Sequence, residues 1–118
     1  MRPTWSTMVG HMQELYIVET RDAVDHTEPA RMAELAAGMS RIGVPATLFL
    51  AENGAFAARL GHQCPLDEAL AAGVQVAVDG FALDERGIGA DQLRDGISVE
   101  GVDRIVDALE RGATVMWR

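Results

Sequence analysis

Lysine is absent from this 118-residue chain, and cysteine occurs only once. Without lysine there is no Schiff-base chemistry and no phosphate loop ending in Lys-Ser or Lys-Thr. A single cysteine, Cys64, excludes an internal disulfide and any cysteine cage for zinc or iron–sulfur. With three scattered histidines, neither a structural metal site nor a bound cofactor is expected. Basic charge is also scarce. The ten basic residues are all arginine and face 18 acidic ones, for a net charge of -8. No basic stripe is left to neutralise phosphates, so a nucleic-acid surface is not expected. No apolar run approaches the roughly 20 residues that cross a bilayer. Met1 to Met12 lacks the continuous apolar core of a signal peptide. The expectation is a cytoplasmic protein with no membrane partner, residues 1–13 being an N-terminal tail and 14–118 one domain.

What is present is a hydrophobic fraction of 48%, enough for a sheet covered on both faces. Short apolar runs alternate with amphipathic segments. Leu15 to Glu19, Ala46 to Leu50, Val74 to Val78 and Ala113 to Trp117 read as strands, and Ile97 to Val99 as a shorter one. Thr27 is expected to cap a helix with Glu28 and Pro29 in its first turn, Met32, Leu35, Ala36 and Met39 on its buried face, and Gly43 at its end. Asn53 is expected to cap a short helix, Pro65 to open another stopped by Gly73, and Ser98 to cap the last. In that last helix Val102, Ile105, Val106 and Leu109 share what reads as a buried face. This order predicts an α/β fold: βαβ units, three layers (α/β/α) and a mostly parallel sheet of about five strands.

Ligands of open parallel sheets bind beyond the carboxyl ends of the strands. That rule selects Arg21, Asp22, Asp25 and His26 after the first strand, Glu52 and Asn53 after the second, and Asp79 with Gly80 after the third. Asp79 has two readings. As turn chemistry, its carboxylate accepts a local backbone hydrogen bond and Gly80 supplies an unusual dihedral; as a functional group, it is a general base or cation ligand. Arg86, seven residues on, is a candidate partner that would keep the carboxylate ionised. Cys64 lies before a helix start, where the dipole favours a thiolate, with His62 nearby as a proton acceptor. Asp67 and Glu68 oppose that charge, and an ordinary loop or half-buried cysteine is the stronger reading. No GxSxG elbow is present, and Ser6, Ser40 and Ser98 sit in poor contexts for a nucleophile.

The stretch Gly73-Val-Gln-Val-Ala-Val-Asp79-Gly-Phe-Ala-Leu-Asp-Glu-Arg86-Gly87-Ile, followed by Leu93 and Gly96-Ile97, resembles the DsrE/TusD sulfur-relay family. The front half is similar too, with a Glu-Pro-Ala helix start and a strand Ala-Thr-Leu-Phe-Leu, so that the resemblance covers residues 14–117. It implies a three-layer domain that assembles as trimers or hexamers, alone or with related subunits. It also implies sulfur carried as a persulfide between donor and acceptor proteins. Counted back from Arg86-Gly87, the family cysteine falls on Asp79. A carboxylate has no sulfur to accept and release. The resemblance therefore implies a member without persulfide transfer at that position, such as the non-catalytic subunits of mixed assemblies or a small-ligand binder. Two other readings stand beside it: a thiol enzyme using Cys64, and a hydrolase or isomerase pairing Asp79 with His26.

Overall fold

In the computed structural model, which describes residues 12–24, 26–61 and 66–118, five short strands form one parallel sheet. In chain order the elements are β1 (Leu15–Glu19), α1 (Glu28–Arg41), β2 (Ala46–Leu50), a 3-10 segment (Glu52–Ala58), α2 (Leu66–Ala71), β3 (Gln75–Asp79), α3 (Gly80–Glu85), a second 3-10 turn (Ala90–Gln92), β4 (Ile97–Glu100), α4 (Asp103–Glu110) and β5 (Thr114–Trp117). The strand order is β4-β3-β2-β1-β5, every pair parallel. The expected α/β class and five strands are what is found.

Successive side chains of a strand point to opposite faces, and each set meets a different layer. Leu15, Ile17, Leu48, Leu50, Val76 and Val78 pack with Met32, Ala33 and Ala36 of α1, with Leu66 and Ala69 of α2, and with Ala82 and Leu83 of α3. Tyr16, Val18, Phe49 and Ala77 point the other way and meet Ile105 and Ala108 of α4, with Ala51, Ala113 and Val115 beside them. The topology explains this asymmetry. From β1 to β4 the chain moves one strand at a time in one direction, so right-handed connections fall on one face. From β4 it then jumps to the opposite edge, and the returning helix α4 crosses the other face alone.

Several boundaries follow from backbone freedom. Gly43, Gly73 and Gly112 have φ of 91°, 88° and 85°, the left-handed region in which a helix ends at no steric cost. The expected caps fared less well. Thr27 occupies the cap position of α1, but its side chain makes no capping bond. Asn53 lies inside the 3-10 segment, whose cap is Ala51. Ser98 is part of β4, and Val102 precedes α4. Asn53 is held instead by Arg86, and Ser98 by the strand. The last helix needs the largest correction: Ile105 is buried, whereas Val102, Val106 and Leu109 are each more than half exposed.

Candidate functional site

Asp79 ends β3, and its backbone leaves the sheet directly into α3. Its carboxylate Oδ1 accepts a hydrogen bond from the Phe81 amide at 3.4 Å, capping that helix. The side chain is 7% exposed. Gly80, by contrast, does not use a left-handed conformation, because it is already the first residue of α3. A Cβ there would come 3.2 Å from Cγ1 of Val99, so close packing of α3 on β4 accounts for the glycine. Of the two readings of Asp79-Gly80, the local backbone bond is present and the unusual dihedral is not.

A cavity of about 280 Å³ opens beside Asp79 on the α4 side of the sheet. Ala51, Glu52 and Ala82 help line it, with Phe81, Val102 and Trp117 forming an apolar rim. Glu52 has φ of 50°, the single left-handed non-glycine among the described residues. That residue lies in the lining of the cavity. The fold thus brings Glu52 and Asp79 together. Arg86 goes elsewhere: its Nε and Nη2 donate to Asn53 Oδ1 at 3.3 and 3.0 Å, and its guanidinium lies 5.8 Å from the Phe56 ring. The expected Arg86–Asp79 pairing is therefore replaced by an Arg86–Asn53 clasp between α3 and the 3-10 segment.

The residues after β1 form a separate group. Asp22 Oδ1 accepts from the Val24 amide at 3.0 Å, and His26 Nδ1 lies 3.3 Å from the Asp22 carbonyl. Arg21 gives its backbone amide to Glu19 Oε2 at 3.0 Å. Among the described residues lining the Asp79 cavity, neither Arg21, Asp22 nor His26 occurs. Asp25, His62 and Cys64 lie outside the described residues. Among those described, no group of three His, Cys, Asp or Glu side chains could hold a metal ion. No described helix is long and apolar enough to cross a membrane.

One residue escaped the sequence reading. Glu19 closes the inner strand β1, is 1% exposed, and leaves Oε1 without a hydrogen-bond partner. Burial raises its carboxyl pKa, partly countered by the amides of Arg21 and Thr20. Its backbone is gripped as well. The carbonyl accepts from the Ala51 amide at 2.9 Å, and a Cβ at Gly54 would overlap that same oxygen. Glu19 points to the α1 side of the sheet and Asp79 to the α4 side. The available sign was a charge inside a strand run otherwise wholly apolar.

No known protein family matches the chain, and no curated protein does. Solved structures do. The YchN protein of E. coli superposes with a TM-score of 0.79 at 20% identity, over 91% of this chain and all 100% of its own. BT1422 of Bacteroides thetaiotaomicron gives 0.73 at 18%, over 99% and 100%. MTH1491 of Methanobacterium thermoautotrophicum gives 0.69 at 17%, over 91% and 99%. The latter two are described as proteins of unknown function. The chain has a YchN-like fold. At these identities the likeness concerns the fold alone.

Proposed function

We propose that this chain is a DsrE-like protein that carries no sulfur at position 79. On this reading it works as a structural or regulatory subunit of an oligomer, with the cavity beside Asp79 free to take a small ligand. One observation supports the reading: Asp79, which the resemblance sets at the family's cysteine position, is engaged in capping α3. A group held by backbone at the start of a helix supports the architecture of the edge, and it has no sulfur to exchange. The assembly half draws on a different feature. Val102, Val106 and Leu109 form an exposed apolar stripe on α4, near the exposed Trp117 at the end of the edge strand β5. Apolar stripes beside unpaired strand edges are the surfaces that soluble proteins cover by association.

Sedimentation of the full chain at micromolar concentration is expected to give a trimer or hexamer, and a monomer would remove the subunit role. Incubation with polysulfide followed by mass spectrometry is expected to leave residue 64 unmodified. A sulfur adduct on Cys64 would instead make the chain a thiol enzyme that has moved its nucleophile.

A further inference from the structure

The α4 face of the sheet holds a second concavity, on the other flank of the helix from Asp79. Its volume is about 290 Å³. The floor follows from register. Tyr16 pairs with Thr47, and Thr47 with Gln75, so these three side chains form one row across adjacent strands; Ser98 stands beside Ala77 in the next row. Tyr16 and Thr47 are 4% and 7% exposed, yet both line the cavity. No hydrogen bond to either hydroxyl is found among the described residues, and neither oxygen is shut away from solvent, so both are open to a ligand that enters the groove. Tyr16 keeps its proton at neutral pH, because burial raises its pKa further.

The rim restricts what could satisfy those groups. Its two guanidinium groups are already neutralised: Arg104 Nε donates to Glu100 Oε2 at 3.0 Å, and Arg111 grips both oxygens of Glu14 at 2.7 Å each. An anion would meet no free positive charge and would face Glu100, on a chain of net charge -8. A cation would find both carboxylates occupied. An apolar ligand would strand the hydroxyls against carbon, since Ala77 is the lone aliphatic residue among those lining the cavity. What remains is a small neutral molecule with several groups that both donate and accept.

We propose that this groove is a binding site for a small neutral polyol, of monosaccharide size, held by Tyr16, Thr47, Gln75 and Ser98. The site does not depend on the reading of Asp79. Tyr16→Phe and Thr47→Val each remove one hydroxyl at nearly constant shape. Gln75→Ala and Ser98→Ala test the same floor at exposed positions, where folding is not at risk. Amide NMR titration of the full chain with myo-inositol and with glucose is expected to give saturable shifts confined to these strands. Each substitution should weaken binding by roughly tenfold. Citrate and putrescine serve as charged comparators and should give no saturable shift. Absence of saturation with both polyols, equal affinity in all four variants, or the same shifts with citrate would overturn the proposal. So would a change in the oligomer's mass on Tyr16→Phe, which would make the groove an interface between copies.

Discussion

The two faces of the sheet are built from the same strands and end up in different chemistry. Toward α1, α2 and α3, the strands present apolar side chains throughout, Glu19 and the edge residue Thr114 excepted. Toward α4 they present Val18, Phe49 and Ala77 in the middle but Tyr16, Thr47, Gln75, Ser98, Asp79 and Glu100 around them. One face is a core; the other is a core only under a single eight-residue helix. That helix repeats the division at its own scale. Ile105 and Ala108 face the sheet. At about 100° per residue, Arg104 and Arg111 lie roughly a right angle to one side, and Val102, Val106 and Leu109 roughly a right angle to the other. The polar flank borders the hydroxyl-floored groove, while Val102 borders the Asp79 cavity. Secondary structure alone does not make an interior. The number of helices available to a face does.

Five substitutions would break or sharpen this comparison. The largest effect is expected at Gly54, where the 3-10 segment lies against β1. Gly54→Ala drives a methyl into the Glu19 carbonyl, backbone against backbone, and should cost about 3 kcal/mol or more in denaturant unfolding. On the thinner face, Ile105→Ala removes the main anchor of α4 and should cost about 2–4 kcal/mol. Val106→Ala, one residue on, should change the stability of the protomer by no more than about 0.5 kcal/mol, because its side chain is exposed. Equal losses at the two positions would show that the stripe is buried in the protomer after all.

Glu19 offers a pH test of the well-covered face. Its folded pKa is raised, so its neutral form is the better tolerated one. The stability it contributes is fully present below the unfolded pKa and is lost as pH rises through the folded pKa. Glu19→Gln should abolish that fall, and parallel unfolding curves from acid to neutral pH in both proteins would refute the assignment. A similarly small effect belongs to the Glu14–Arg111 pair beside the groove. Its hydrogen bonds hold the Glu14 pKa below the ordinary value, so its contribution is present above the unfolded pKa and lost on acidification. Arg111 is half exposed, and Arg111→Ala should cost roughly 0.5 kcal/mol at neutral pH.

Legibility varied with how local each cause was. β1 and β2 were found residue for residue, because five consecutive apolar side chains between polar stretches need no context. The α4 stripe was misread because period 3.6 identifies an apolar face without saying whether a partner layer exists. The polar half of the second face was written in the alternation Gln75, Ala77, Asp79 and again in Ser98, Glu100. It was overlooked because the apolar residues between them suggested burial on both sides. Arg86 could not be assigned from spacing, since its partner Asn53 is 33 residues away. Asp79 was legible as a candidate. That it shares a cavity with Glu52 and Trp117, whose lining does not include His26, was not.

The sequence by itself determined that this is an α/β chain: apolar runs of strand length alternate with amphipathic helices ended by glycine, and those preferences act within a few residues. It also determined that position 79 carries a carboxylate, which no fold can turn into a sulfur carrier. The tertiary structure decided the strand order and, through it, that α4 returns alone. That result comes from the handedness of connections and from how many helices fit on each face, which are properties of the whole chain and of no segment within it. It leaves three exposed apolar side chains on one flank of α4 and unpartnered hydroxyls on the other.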